Sequence, residues 1–300
     1  MSLDFTNKTV IVTGAGGGLG RAHALEFARR GANVVVNDLG GSVDGTGGSS
    51  EAAEAVVKEI TDNGGTAIAN GASVTDDEGV QNMVKQTLDA FGGIDVLVNN
   101  AGILRDKSFT KMTLEEFQTV LEVHVLGTVK PTHAIFPIMK EQGFGRIMVT
   151  TSSSGLYGNF GQSNYGAGKM GVVGFMNTIK LEGQKYNVHI NALAPIAATR
   201  MTEGLIPEEA FALLEPHKVT PAVVYMCGED APTGTIICAG AGAFAISQIL
   251  ESEGMFISNE PTAEDIAANW DKISDMSNAT PKAMGGEQTL KFVTMAMENQ

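Results

Sequence analysis

The sequence predicts a single-domain α/β fold: a doubly wound parallel sheet with helices on both faces, followed by a C-terminal extension. Three observations predict it. Over the first two thirds of the chain, short β-branched runs alternate with longer helical stretches, the pattern of a parallel sheet covered on both sides. The short runs are continuously apolar, as strands buried on both faces must be. A glycine-rich segment joins the first run to the first helical stretch. Right-handed crossovers between such strands wind the chain to both sides of the first one.

Taken in order, the predicted strands are Val10–Val12, Val34–Asn37, Thr66–Ala69, Val96–Asn99, Arg146–Thr150 and His189–Ala192, mostly bounded by Gly, Asn or Asp. Between them, Gly20–Arg30, Ser50–Asn63, Asp76–Phe91, Leu114–Gln142 and Asn164–Tyr186 read as helices. Pro131 lies inside the fourth helical stretch, so a kink or break is expected there. Gly40–Ser50 is rich in Gly and Ser and reads as a mobile loop. Beyond Pro195 the pattern loosens into Pro207–Pro216, a helix near Pro221–Met226 and an apolar run at Thr235–Cys238. The expected division is a main domain over 1–240 and an extension over 241–300, packed on the same domain or on a neighbouring subunit.

Composition excludes several classes of function. A net charge of −14 argues against nucleic acid, which is bound by clustered Lys and Arg. It leaves room for an anionic small ligand held at a helix N-terminus. No run approaches the ~20 apolar residues of a membrane span, and the N-terminus has no apolar signal core. The expectation is a cytoplasmic protein. Cys227 and Cys238 lack zinc-ligand spacing, so no metal site is expected.

Thr13-Gly14-Ala15-Gly16-Gly17-Gly18-Leu19-Gly20 follows the first strand and opens the first helix. Glycines there let the backbone turn tightly and approach a pyrophosphate, whose charge the helix N-terminus stabilises, as in Rossmann-like dinucleotide sites. A tight turn with glycines required by packing is the plainer alternative. Asp38 ends the second strand, 18 residues past Gly20, where a carboxylate can accept hydrogen bonds from ribose hydroxyls and repel a 2′-phosphate. NAD is therefore expected over NADP, unless Asp38 is an ordinary strand-end turn residue.

Tyr165 and Lys169, at i and i+4, share one helix face. An ammonium near a phenol favours phenolate and brings a group of ordinary pKa ~10 toward use as a base. Ser152, thirteen residues before the Tyr, can hold a substrate oxygen against it. The pair alone is weak; the glycine loop, Asp38, the Ser run and Tyr-x-x-x-Lys in one order are specific. Together these residues resemble the short-chain dehydrogenase/reductase family over roughly residues 5 to 240.

The resemblance implies roles residue by residue. Gly14, Gly18, Leu19 and Gly20 fall in the pyrophosphate loop. Asn99-Asn100-Ala101-Gly102 shapes the cofactor cleft, with Asn99, Ala101 and Gly102 as contacts. Ser73 and Val74 flank the adenine. Ser152, Tyr165 and Lys169 fall on the catalytic Ser, Tyr and Lys, of which Tyr165 and Lys169 also touch the cofactor and Ser152 and Tyr165 the substrate. Pro195 starts the segment beside the nicotinamide, with Thr199 as a carboxamide contact; Ile196 departs from the usual Gly. His124 stands where the family usually has a fourth catalytic residue, Asn. An imidazole there can hold a relay water and would add a titration near pH ~6–7, or it can be a His satisfied by helix packing.

Within the family, Val36–Gly41, Asn99–Asp106, Gly155–Gln162, His124 and Ala268-Asn269-Trp270 resemble the dehydrogenase part of the type 2 multifunctional enzymes of peroxisomal β-oxidation. That likeness implies a small-molecule substrate, either a (3R)-3-hydroxyacyl-CoA or a 17β-hydroxysteroid, and a homodimer or homotetramer. Met201, Leu205, Ile206, Phe211, Leu213 and Leu214 then line an acyl or steroid channel, although one amphipathic helix packed on the core accounts for the same series. An acyl-carrier-protein ketoreductase is disfavoured by Asp38. A non-catalytic NAD-binding scaffold or sensor requires a broken Ser, Tyr or Lys, and none is broken.

Overall fold

The structure is a computed structural model and describes residues 3–198 and 208–299. Its chain falls into two compact units, Met1–Ile246 and Ser247–Gln300. The first is built on an eight-stranded sheet in the order β3-β2-β1-β4-β5-β6-β7-β8, counted among the described residues. Its strands are β1 (Thr9–Thr13), β2 (Asn33–Asn37), β3 (Thr66–Asn70), β4 (Val96–Asn99), β5 (Gly145–Thr150), β6 (Val188–Ile196), β7 (Ile236–Gly240) and β8 (Ala243–Ser247). β1 to β7 run parallel, with Val10 in register with Val34 on one side and Val96 on the other.

Side chains alternate across a strand, so neighbouring residues of β1 serve different cores. Val10 and Val12 pack with Phe27, Val34, Val36, Val56 and Ile60, under α1 (Gly18–Arg29), α2 (Glu51–Asp62) and α9 (Thr220–Met226). Ile11 packs with Met83, Leu97, Ile135, Met139, Val172 and Met176 on the opposite face. That face is covered by α3 (Asp77–Phe91), α5 (Gly127–Gln142) and α7 (Ser163–Gly183). Each central strand is buried on both faces, which explains why the runs read as continuous rather than alternating.

The fourth helical stretch departs from expectation. It divides into α4 (Leu114–Leu121), a π turn at Glu122–Leu126 and α5, and Pro131 lies inside α5 without ending it. The irregularity sits one turn upstream of the proline. There it carries His124 inward, where the ring abuts Gly102 and its Cβ abuts Gly168. α6 (Ser153–Tyr157) and β8 were not legible; α8 is the short turn Glu208–Phe211.

The unit Ser247–Gln300 contains β9 (Leu250–Glu251) paired antiparallel with β10 (Thr280–Pro281), and α10 (Ala263–Ala268), α11 (Trp270–Ile273) and α12 (Gly285–Glu298). Lys291 ties α12 to β9, donating to Glu251 at 2.8 Å and to the Ser252 carbonyl at 2.6 Å. Among the described residues no helix is long and apolar enough to cross a membrane, and no cluster of His, Cys, Asp and Glu is arranged to hold a metal.

Candidate active site

The strand order reverses between β1 and β4, and a cleft of about 420 Å³ opens at that switch point. Gly14, Gly18, Leu19, Asp38, Ser73, Val74, Ala101 and Gly102 all line it. The glycines are there for space. Gly14 has φ +63°, and a Cβ on it would come within 2.8 Å of the Ala101 Cα. A Cβ on Gly20 would lie 2.2 Å from the Gly14 carbonyl oxygen, so Gly20 sits behind the loop and lets α1 approach it.

The N-terminus of α1 fits a phosphate group. Its N-cap, Gly17, has no side chain to satisfy the first amides, the first turn carries no acid, and the space over Gly17 is open for 4 Å. Uncapped amides with the positive end of the helix dipole behind them form an anion cradle. Asp38 stands beside this cradle: its carboxylate accepts from the Gly16 N–H at 2.7 Å and the Gly40 N–H at 2.6 Å. It thus fixes the glycine loop as well as placing a negative charge at the end of β2.

Two parts of the cleft take their detail from contacts distant in sequence. Asn100 donates to the carbonyls of Thr13 and Gly14, both at 3.0 Å, while the Thr13 hydroxyl accepts the Asn100 and Ala101 amides at 3.0 and 3.1 Å. Asn99 does not line the cleft; it is buried beneath it and donates to Thr132 Oγ1 at 3.1 Å. The other part is the Gly/Ser-rich loop, read as mobile. It is tied across the cleft, with the Leu104 N–H donating to the Val43 carbonyl and Arg105 Nε to the Asp44 carbonyl, both at 3.0 Å. Ser42, Val43 and Gly45 therefore form a wall of the cleft.

The second group of site residues adjoins the cleft through His124. Its ring meets the Gly102 backbone and stands edge-on to Tyr165, with 5.1 Å between ring centroids. Ser152 ends the β5 connection, caps α6 by accepting the Ser154 N–H at 3.2 Å, and acts on the Tyr165 phenol in favour of its ionised form. Lys169 is buried on the same helix face as Tyr165. Its Nζ lies 5.5 Å from the Tyr165 ring centroid and donates to the Thr150 carbonyl at 2.6 Å. Pro195 lies near the end of β6, paired with Ala239. Thr199, Met201, Leu205 and Ile206 lie outside the described residues; Leu213 is exposed.

Burial governs the protonation of this group. It lowers Lys169 to about 7. It raises the Tyr165 phenol above its ordinary value, against the opposing influence of the Ser152 hydroxyl and with the help of the Asp106 charge. The lowered phenol expected from an adjacent ammonium is therefore reversed here, because a low-dielectric site disfavours both charged forms. His124 is corrected in the same way. Burial, followed by the Lys169 charge, holds it well below the ordinary histidine range against the pull of Ile103. It is a neutral imidazole, not a titrating one. Its Nε2 meets both the Ile103 carbonyl oxygen, at 2.8 Å, and the Ile103 N–H, at 3.3 Å, while Nδ1 is buried with no partner among the described residues.

The comparisons agree with this geometry. Residues 8–210 match the family model for short chain dehydrogenases. A short-chain type dehydrogenase/reductase of Mycobacterium tuberculosis is 49% identical over 274 residues, 91% of this chain and 96% of that protein. Full-length peroxisomal multifunctional enzyme type 2 from Drosophila melanogaster superposes with a TM-score of 0.83 at 36% identity, over 99% of this chain and half of that one. A 7α-hydroxysteroid dehydrogenase, solved with NADH and 7-oxo glycochenodeoxycholic acid, superposes with a TM-score of 0.72 at 27% identity, over 80% and 96%. With this sheet, this glycine loop and these matches, the chain belongs to the short-chain dehydrogenase/reductase family of oxidoreductases.

Proposed function

We propose that the protein is an NAD-dependent dehydrogenase that oxidises a (3R)-3-hydroxyacyl-CoA to the 3-ketoacyl-CoA. The observation that carries this is the Ser152–Tyr165–Lys169 group, packed through His124 against the wall of a cleft whose uncapped helix end suits a phosphate. The substrate class is supported by the likeness to peroxisomal multifunctional enzyme type 2, of which this chain spans half.

Gly14, Gly18, Leu19 and Asp38 would hold the dinucleotide, which would supply an acceptor for the hydride from C3 and a positive charge favouring phenolate at Tyr165. Tyr165 takes the proton of the C3 hydroxyl. Ser152, whose hydroxyl favours the ionised phenol, holds the same oxygen as the ketone develops. Lys169 keeps the phenol's neighbourhood able to become cationic, and Asp38 selects the unphosphorylated ribose. Likeness to the 7α-hydroxysteroid dehydrogenase favours a second reading, in which a hydroxysteroid takes the acyl-CoA's place.

One panel tests both. Purified protein is assayed by NADH absorbance with 3-hydroxyacyl-CoA chain lengths and with hydroxysteroids, each with NAD and with NADP. The expected outcome is turnover of the R-hydroxyacyl-CoA with NAD, and a kcat lowered about 100-fold or more in Tyr165→Phe. Steroid turnover alone selects the second reading; preference for NADP removes the role given to Asp38; undiminished Tyr165→Phe defeats the mechanism.

A further inference from the structure

The segment after Gly102 is joined to the entry of α7 by three successive residues. Asn164 Nδ2 donates to the Arg105 carbonyl at 2.9 Å, Gln162 Nε2 donates to Asp106 Oδ2 at 2.6 Å, and the Lys107 N–H donates to the Gly161 carbonyl at 2.9 Å. Gln162 is buried, and its orientation is not free. Its Oε1 accepts from Ser154 Oγ at 2.7 Å and from Asn159 Nδ2 at 3.1 Å, which obliges the amide nitrogen to face Asp106. Asn164 is buried and accepts the Tyr165 N–H on its Oδ1 at 2.7 Å. The turn that presents the phenol is thus held from one side by residues 105–107 and from the other by α6.

Asp106 closes this joint from the solvent side. It is exposed, forms no ion pair among the described residues, and accepts from a neutral amide. Neighbouring Lys107 is turned away onto Glu116. We propose that Asp106 is a positioning residue for Tyr165: through Gln162 it holds the turn from which the phenol is presented, and it carries an unpaired negative charge at that joint.

Three groups lie about the phenol, Lys169 from α7, His124 from the π turn and Ser152 from the end of the β5 connection, and the charge of Asp106 acts on it from the segment after β4. His124 is neutral and Ser152 favours phenolate, so Asp106 is the negative charge that opposes it. Keeping the phenol protonated until a cationic partner arrives prevents an idle phenolate from forming in the free protein. Loss of the charge and loss of the joint are separable effects. Asp106→Asn keeps an acceptor for Gln162 and removes the charge, whereas Asp106→Ala removes both.

The proposal rests on Tyr165 being the acid/base, so its first test does not use turnover. The full-length protein, Asp106→Asn and Asp106→Ala are titrated by ultraviolet tyrosinate absorbance, with Tyr165→Phe identifying the Tyr165 transition. In Asp106→Asn that transition is expected about half a pH unit lower or more, and the pH profile of kcat/KM moves the same way. Asp106→Ala is expected to lose about tenfold or more in kcat, with the NADH dissociation constant, read by fluorescence titration, within about twofold of the parent. A merely structural joint would lower the thermal midpoint of both variants and leave the Tyr165 titration in place. An unmoved titration in Asp106→Asn, or an undiminished kcat in Asp106→Ala, overturns the proposal. A moved titration in a protein that turns over no hydroxyacyl-CoA overturns the substrate reading instead.

Discussion

His124 shows how a single side chain is shaped by what surrounds it. Glycine at 102 and at 168 makes room for the imidazole; a Cβ on Gly102 would lie 2.5 Å from His124 Cε1, and one on Gly168 would lie 3.2 Å from its Cβ. The ring fills the gap between the cleft wall and Tyr165, and its depressed pKa keeps it neutral as pH rises from mildly acidic to alkaline. Substituting His124→Asn is therefore expected to leave the shape of the kcat/KM profile between about pH 5 and 9 unaltered, since no His124 proton is exchanged there. The smaller side chain leaves a void, so the variant is expected to unfold earlier, by about 1–3 kcal/mol. Thermal unfolding and a pH series on one preparation check both. Loss of an acidic limb in the variant would return His124 to the titrating role that its sequence position suggested. What the imidazole offers instead is a ring held at Nε2 by the Ile103 backbone, with Nδ1 buried and unpartnered among the described residues.

At the scale of elements, the glycine loop and the joint between β1 and β4 act as one piece. Gly20→Val would drive a branched side chain into the Gly14 carbonyl and into Asn100 Nδ2, which a Cβ alone already approaches to 2.2 and 2.6 Å. Because Asn100 is the buttress of that loop, NADH affinity is expected to fall by about 100-fold or more, measured by fluorescence titration, while far-ultraviolet circular dichroism stays near the parent. Affinity retained in the variant would mean the loop does not cradle the dinucleotide. The glycines were legible because tight turns and close backbone approach leave few other choices of residue. The strands were legible because burial on both faces writes an unbroken apolar run. Asn100 was visible only as a motif letter: its partners lie 86 and 87 residues away, and no local pattern encodes that pairing. The π turn was hidden because Glu122–Leu126 is ordinary helical sequence, whereas Pro131 drew attention to the wrong place. In the loop over the cleft, Gly and Ser mark conformational freedom but give no sign of the Leu104 and Arg105 donors that tie it to the opposite wall. β8 follows β7 through Ala241 at φ +51° and Gly242 at φ +80°, a turn with no Asn-Gly or Asp-Gly signal.

On the scale of the whole molecule, a sheet covered on both faces makes the reaction site part of the core, and the site's protonation then becomes a term in global stability. Buried His23 sits between α1 and α9, with Nδ1 2.9 Å from Thr220 Oγ1, and is depressed to about 3. The unfolded chain binds its proton near the ordinary value and the folded one does not, so stability from this group falls as pH drops from about 6.5 toward 3. Lys169 follows the same sign in a higher window. Its folded value of about 7 lies below the ordinary 10.5, so above pH 7 the unfolded state holds the extra proton and stability rises with pH. Cys227 acts oppositely: raised to about 12 from 9, it withdraws stability only above pH 9. Between pH 7 and 9, then, the Lys169 contribution stands clear of the thiol, with a slope of at most about 1.4 kcal/mol per pH unit for one proton. Lys169→Met keeps much of the buried stem and removes the titration. Urea unfolding of parent and variant at intervals across that window is expected to show the parent gaining stability with pH while the variant stays flat, with the variant the more stable of the two at pH 7. Parallel curves would show that Lys169 keeps its proton in the fold. The ammonium would then be fully charged beside Tyr165 at neutral pH, and phenolate formation would not have to await the cofactor's charge.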